Sequence, residues 1–155
     1  MKLRTNFPAH AVLPAQINRL QQLLVKEKDL FEDVADHIAD HSLRLTIRSL
    51  AQQNKQYASE LSSYLQSTRS TQPSARAPQK TSTTTLPDET TALAFCSSNE
   101  RKIVAAYRKL LKETVLYEGL KNIIGYQLSG SLSSMVQLQL LTAVRRRQKH
   151  VAAAL

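Results

Sequence analysis

Apolar residues recur at alternating spacings of three and four along most of this chain. Such spacing places them on one face of an α-helix, whereas a half-buried strand would alternate every second residue. The first stretch consists of Ile17, Leu20, Leu24, Glu27, Phe31, Val34 and Ile38. The second consists of Leu43, Ile47, Leu50, Asn54, Tyr57, Leu61 and Tyr64. The pattern predicts long amphipathic helices.

A third stretch keeps the spacing. A fourth stretch is less regular: its apolar side consists of Met135, Val136, Leu140 and Val144, but Leu138 suggests a different face. The third consists of Leu93, Cys96, Glu100, Ile103, Tyr107, Leu110 and Thr114. We predict four helices, over 14–41, 43–65, 90–114 and 131–153. We also predict a short extra helix over 117–129, ended by Gly125 or Gly130. Pro14 would stand in the first turn of the first helix, and Asp88 or Thr90 would cap the third.

Between residues 66 and 89 the apolar pattern disappears, and Ser, Thr, Pro and Gln dominate. Such a composition cannot bury enough apolar surface to offset its ordering entropy, so we predict a flexible linker. With only 3 Gly and no Trp in 155 residues, the chain has little of the punctuation that short strands need. We therefore predict one domain over 1–155. It would be an all-α antiparallel four-helix bundle of two helical hairpins joined by a long polar linker, the layout of ferritin-like bundles.

Polar residues interrupt the apolar stripes at Glu27, Asn54, Tyr57 and Glu100. A polar group buried there must find a partner or cost several kcal/mol. Two buried glutamates would repel each other unless a proton or a cation relieves them. We predict a buried polar cluster of these four residues with Arg147 of the last helix as the cation, the alternative being that Arg147 points to water.

The chain resembles a bacterial ferritin-like four-helix-bundle family whose domain is of unknown function. The likeness lies in INRLQQLLVKEKDLFEDVA, LAQQNKQYASEL and CSSNERKIVAAYRKLL, and its most specific element is Cys-x-x-x-Glu at Cys96 and Glu100. The resemblance implies the bundle, and the ferritin-like group includes both metal oxidases and members without metal. Ferritin-like metal proteins carry a Glu on two helices and Glu-x-x-His on the other two. Glu27 and Glu100 match the former, whereas Asn54-x-x-Tyr57 and Arg147-x-x-His150 replace the latter.

Glu27, Glu100 and His150 are therefore the candidate metal ligands, for iron or another divalent metal. Because the remaining motif positions lack the residues of a di-metal site, we expect that no cofactor is bound and that no residue is catalytic. A second constellation on the first helix recurs every four residues, at Asp29, Asp33, His37 and His41. Its spacing suits either a metal ion or a solvated face with Asp-to-His pairs, and we prefer the solvated face.

The formal net charge of +9 could attract nucleic acid. However, the one tight basic run, Arg145 to Arg147, contains no aromatic residue to stack a base, so we favour a solvated basic helix end. The single cysteine, Cys96, fits a reducing compartment and is expected to pack as a small apolar residue. No segment is apolar enough for a signal peptide or membrane span, which predicts a cytoplasmic protein.

The predicted function is a non-catalytic ferritin-like bundle that acts through self-association or protein binding. The apolar segment from Leu116 to Leu128 motivates it, since a four-helix core would not need this segment and an exposed apolar patch marks an interface. One alternative is an iron-binding or oxidase protein with a degenerate di-metal site. A second is a basic nucleic-acid-binding protein. No motif of an organic-substrate enzyme is present.

Overall fold

The computed structural model describes residues 9–68, 88–113 and 116–155, and four α-helices account for nearly all of them. The helices are α1 (Ala9–His37), α2 (His41–Thr68), α3 (Glu89–Glu113) and α4 (Glu118–Ala153). These three ranges contain no strand, so the predicted all-α class is confirmed. The predicted linker begins inside α2, and its part over 69–87 lies outside the described residues.

The helices pack as a four-helix bundle in which α1 lies on α2 and α3, and α3 lies on α4. Its core consists of two apolar clusters, and each cluster draws side chains from all four helices. We call them the turn cluster and the far cluster. The turn cluster lies near the α1–α2 turn and includes Phe31, Ile47, Leu93 and Leu138. The far cluster includes Leu24, Leu61, Tyr107 and Ile124.

The turn between α1 and α2 is fixed by one aspartate and one arginine. Asp40 caps α2, because its Oδ1 accepts a hydrogen bond from the Leu43 N–H at 2.8 Å. Arg44 donates to the carbonyls of Ile38 at 3.0 Å and Ala39 at 3.1 Å, just beyond the end of α1. The predicted turn near Asp40 is therefore present, although α1 ends at His37 rather than at residue 41.

A second aspartate, Asp88, caps α3 by accepting a hydrogen bond from the Thr91 N–H at 2.7 Å. The sequence predicts Asp88 or Thr90 as the cap of this helix, and the structure has Asp88. Both capping aspartates also bind the last turns of α4, since Arg145 lies 2.8 Å from Asp40 and Lys149 binds Asp88. The C-terminal part of α4 is thus tied to the starts of α2 and α3.

The structure also differs from the predicted boundaries in α4 and at the start of α1. α4 is one helix of 36 residues, where the sequence suggested a short helix over 117–129 and a separate one over 131–153. Neither Gly125 nor Gly130 ends a helix, and Gly130 instead lies where the Tyr57 and Gln53 side chains of α2 approach α4. α1 begins before Pro14, which therefore lies inside the helix and costs it a hydrogen bond near its start.

Candidate functional site

Between the two apolar clusters, every helix contributes at least one buried polar side chain. Four of them lie close together, namely Glu27 of α1, Asn54 of α2, Glu100 of α3 and Ser131 of α4, and we call them the polar layer. Their side chains are nearly inaccessible, with exposed fractions of 5% for Glu27, 3% for Asn54 and 1% for both Glu100 and Ser131. The layer therefore crosses the middle of the bundle.

The helical spacing explains why these four positions meet. Each stands where the alternation of three and four calls for an apolar residue. Glu27 follows Leu24 of the far cluster by three residues, and Glu100 follows Cys96 of the turn cluster by four. Ser131 lies midway between the buried Ile124 and Leu138. The layer is consequently part of the same seam that forms the core.

Several atoms of the polar layer lack hydrogen-bond partners. Within the described residues, the buried side-chain atoms without a partner are Glu27 Oε1, Asn54 Nδ2, both carboxyl oxygens of Glu100 and Ser131 Oγ. Ser131 and Asn54 approach Glu100 closely enough to lower its pKa, although neither makes a hydrogen bond of good geometry with it. Buried polar groups are normally paired, and each unpaired one costs about 1–3 kcal/mol.

Burial also disfavours the charged forms of the two glutamates. Burial, followed by the charge of Glu100, raises the pKa of Glu27 to about 9, while Lys102 and Lys26 oppose the shift. Burial raises the pKa of Glu100 to about 7, and the Ser131 and Asn54 side chains oppose it. In the absence of a cation, Glu27 is therefore protonated near neutral pH.

Cys96 lies beside this layer as a buried thiol. Burial, with the charges of Glu27 and Glu100, raises the pKa of Cys96 well above its ordinary value. A thiol that does not ionise is neither a nucleophile nor a good metal ligand. Cys96 belongs to the turn cluster, which agrees with the prediction that it packs as a small apolar residue.

A second group of polar residues next to the layer, some buried and some half-buried, is hydrogen-bonded. Gln127 accepts a hydrogen bond from the Tyr107 hydroxyl at 2.8 Å and donates to Glu60 Oε2 at 2.8 Å. Gln53 donates to the Tyr57 hydroxyl at 2.8 Å and accepts from Ser134 at 2.9 Å. Tyr57 is thus buried as predicted, and its hydroxyl accepts a hydrogen bond from Gln53.

Arg147 and His150 do not join the polar layer, and Arg147 instead points to water, which is the alternative that the sequence analysis left open. Both side chains are exposed near the end of α4. Leu138 faces the core, and Arg147 follows it by nine residues, which is about half a rotation of the helix away at roughly 100° per residue. The competing face marked by Leu138 is therefore the true inner face of α4. Gln127, Ser131, Ser134 and Thr142 lie on that face as well.

The sequence contains a weak signal for the inner face of α4, which the sequence analysis did not identify. Its buried members Leu120, Ile124, Gln127, Ser131, Ser134, Leu138 and Thr142 keep the spacing of three and four. Most of these residues are polar, whereas the apolar Val136, Leu140 and Val144 lie outside. A search for apolar stripes alone therefore selects the wrong face of α4.

The predicted metal ligands are only partly brought together. Glu27 and Glu100 share the polar layer, whereas His150 lies at the exposed end of α4. Across the described ranges, no three His, Cys, Asp or Glu side chains are placed to hold one metal ion. On α1, Asp33 and His37 are exposed, and the His37 Nδ1–H donates to the Asp33 carbonyl at 2.7 Å. This arrangement favours the solvated face.

The outer face of α4 is apolar. Val136 is 51% exposed, Leu140 62%, Val144 51% and Val151 64%, and we call these four residues the outer stripe. The segment that motivated an association surface is not this one. Leu120 and Ile124 are buried, and Leu116, Ile123 and Leu128 pack against the far cluster, so the proposed patch from Leu116 to Leu128 is largely part of the core.

No protein-family model and no curated protein matches the chain, so the resemblance to ferritin-like bundles stays a prediction. Among the described residues, no helix has the length and apolar character required to cross a membrane.

Proposed function

We propose that this chain is a non-catalytic, ferritin-like helical bundle that acts by docking another protein on the outer stripe of α4. The observation that carries the proposal is that α4 has exposed apolar residues on its outer face while several residues of its inner face are polar. Its inner face contains Gln127, Ser131 and Ser134, and its outer face contains the outer stripe. A helix that served the bundle alone would place its apolar residues inward.

The antiparallel arrangement in two hairpins is part of this proposal, and polar contacts support it. Tyr107, late in α3, bonds to Gln127, early in α4, while Lys149, late in α4, binds Asp88 at the start of α3. Likewise Arg48, early in α2, pairs with Asp36, late in α1. Each hairpin therefore has the contacts that helices of opposite direction make.

The outer stripe has the form of a helix-docking surface. Its members are separated by four, four and seven residues, so they follow one line along α4. Beyond Val144, a shallow groove lined by Arg147, Gln148, Ala152 and Leu155 continues this line. An apolar line of this kind fits the apolar face of a second amphipathic helix.

Charge indicates which helix would bind. A groove between α3 and α4, bordered on α4 by Met135, is lined by Arg101, Arg108, Lys109 and Lys112. Arg147 lies on the stripe itself. Two-fold pairing of α4 with a second copy would bring these cations together, which costs energy. We therefore propose as partner an amphipathic helix with acidic residues on both sides of its apolar face.

Fluorescence anisotropy with two synthetic helical peptides tests this docking. The peptides share one apolar face, and one carries Glu at the flanking positions whereas the other carries Lys. The acidic peptide should bind at least about tenfold more tightly, and its affinity should fall with salt. The double variant Leu140→Ser and Val144→Ser should lose binding.

Leu45→Ser is the matched control, because Leu45 is 52% exposed on α2, away from the stripe. It should bind the acidic peptide as the wild type does. Equal affinity for both peptides, or binding that survives the double variant, would contradict the proposal. A stable dimer in sedimentation that the double variant abolishes would instead assign the stripe to a second copy.

The two alternative functions have less support. A di-metal oxidase would need further ligands, yet Arg147 and His150 lie outside the polar layer and leave two carboxylates for two metal ions. A nucleic-acid-binding surface built on the run from Arg145 to Arg147 is interrupted. Arg145 is already paired with Asp40 at 2.8 Å and lies 3.9 Å from Glu89.

A further inference from the structure

We propose that the groove between α3 and α4 binds a linear inorganic polyphosphate chain. Beyond Arg101 the groove continues into a second section, which Arg146 of α4 lines. Five exposed cations therefore border it, and we call them the groove cations: Arg101, Arg108, Lys109, Lys112 and Arg146. The proposal does not rest on the docking of a helix, since no member of the outer stripe lines either section.

The groove cations are not neutralised by the protein itself. α3 has no acidic residue between Arg101 and Lys112, and the one acidic residue of α4 is Glu118 in its first turn. Within the described part of the chain, none of the five cations forms an ion pair, whereas Arg145 and Lys149 of α4 are paired with acids. A surface that carries one sign of charge attracts ligands of the other sign.

The spacing of the groove cations indicates an elongated anion. Lys112 follows Arg101 by eleven residues on α3, which is about 16 Å along the helix axis at 1.5 Å per residue. Arg108 and Lys109 lie between these two residues, and Arg146 lies beside Arg101. A single phosphate or carboxylate cannot contact both ends of this series. The ligand must therefore carry negative charge along its whole length.

The floor of the groove offers a ligand little apolar surface. Val104 and Thr142 are already buried within the bundle, with exposed fractions of 3% and 8%. Ala105 has a small side chain, and Met135 is half-buried. The apolar face of an amphipathic helix would bury little area there, in contrast to the outer stripe. A ligand of this groove is therefore held mainly by charge and hydrogen bonds.

The donors of the groove select phosphate. Three of the five groove cations are arginines, whose planar guanidinium groups bind phosphate oxygens through two parallel hydrogen bonds. The exposed Ser98 and Gln139 line the second section and can donate to further oxygens. No aromatic side chain lines either section, so a nucleic-acid strand would find no surface on which to stack its bases. A phosphate chain without bases needs no such surface.

Fluorescence anisotropy of the full-length chain with end-labelled polyphosphate tests the groove. The double variant Arg108→Gln and Lys112→Gln should weaken binding at least about tenfold, and its affinity should depend less steeply on salt than that of the wild type. Tripolyphosphate is too short to reach from Arg101 to Lys112 and should compete weakly. Circular dichroism verifies the fold, and Arg101→Gln provides a second measurement if the double variant fails to fold.

The double variant Arg19→Gln and Lys55→Gln is the matched control, because it removes one exposed arginine and one exposed lysine from α1 and α2. It should bind polyphosphate as the wild type does. The stripe variant Leu140→Ser and Val144→Ser should bind it as well, so this experiment and the peptide experiment can fail separately.

Equal weakening in the groove variant and the matched control would show that polyphosphate responds to net charge alone, and would overturn the proposal. Absence of binding at low salt would also overturn it. Oligothymidylate of the same net charge should bind more weakly than polyphosphate. If it bound as tightly and lost affinity in the groove variant, the groove would be assigned to nucleic-acid strands instead.

Discussion

Gly130 lies in the middle of α4, where Tyr57 and Gln53 of α2 approach its backbone. A Cβ atom at this position would overlap the Tyr57 hydroxyl and crowd the Gln53 amide. These two side chains are hydrogen-bonded to each other, and Gln53 also accepts from Ser134. The glycine therefore makes room for the Tyr57 and Gln53 side chains of α2, and its position inside a helix is a consequence of packing.

Alanine substitutions at the glycines of α4 should have opposite effects. Gly130→Ala should lower the free energy of unfolding, because Tyr57 and Gln53 must move and break their hydrogen bonds. Gly125→Ala should raise it by up to about 1 kcal/mol, since no atom lies within 4 Å of the added carbon and alanine favours the helix. Urea unfolding measures both, and equal effects would show that the contact at Gly130 can adjust freely.

Glu27 should make the metal-free protein less stable as the pH rises. Burial raises the pKa of Glu27 from 4.5 to about 9, so between these values the folded chain holds a proton that the unfolded chain releases. Stability then falls with increasing pH in this window. After treatment with a chelator, the urea midpoint should be lower at about pH 8 than at about pH 6.

Glu27→Gln should flatten this dependence, because an amide does not ionise, and Glu32→Gln should preserve it. A residual slope from Glu100, whose pKa burial raises to about 7, is expected in the Glu27→Gln variant. A wild-type midpoint that is constant or rises between the two pH values would show that the layer is better solvated than its burial indicates.

At the scale of the elements, the sequence predicts α1, α2 and α3 well and α4 badly, for one reason. In the first three helices the buried face is apolar except at one or two positions, so the contrast between faces is strong. In α4 the buried face contains Gln127, Ser131, Ser134 and Thr142, and the outer stripe supplies a false inner face. The register of α4 depends on Tyr57, Gln53 and Glu60 of another helix, which a single-helix pattern cannot show.

The capping aspartates allow helix capping and ion pairing to be separated by experiment. Asp88 accepts a hydrogen bond from Thr91 through Oδ1 and binds Lys149 through Oδ2. Asp88→Ala removes both and should lower the Tm by a few degrees. Asp88→Asn keeps the cap and should lower it less, because the ion pair with Lys149 is exposed and screened by water.

Lys149→Ala is the complementary variant and should resemble Asp88→Asn in a thermal melt followed by circular dichroism. Both keep the Thr91 hydrogen bond and lose the ion pair. If Lys149→Ala destabilised the protein as strongly as Asp88→Ala, the contact between α4 and the start of α3 would outweigh the cap.

At the scale of the whole molecule, three members of the polar layer are visible in the sequence and the fourth is not. Glu27, Asn54 and Glu100 interrupt strong apolar stripes, so each can be recognised on its own helix. Ser131 lies on a face that is already polar, and Arg147 attracts attention by its charge although it faces outward. Which residues form such a layer depends on the orientation of each helix about its own axis. Contacts with the other helices determine this orientation.

Those contacts predict that the two halves of the chain should remain together after cleavage between α2 and α3. Both apolar clusters contain residues of all four helices, and Gln127 and Ser134 of α4 bind Glu60 and Gln53 of α2. A protease site inserted within 69–87 would yield an α1–α2 half and an α3–α4 half. The two should elute together at micromolar concentration, and their Tm should become dependent on concentration, since folding is then bimolecular.

Two substitutions on α4 provide the matched comparison for this experiment. Leu138→Asp places a charge in the turn cluster, where Leu138 is fully buried, and should separate the cleaved halves. Leu140→Asp changes a residue that is 62% exposed on the opposite face and should leave them associated. Separation of the unsubstituted halves at micromolar concentration, or equal behaviour of the two variants, would show that the halves are held together mainly by the covalent connection between α2 and α3.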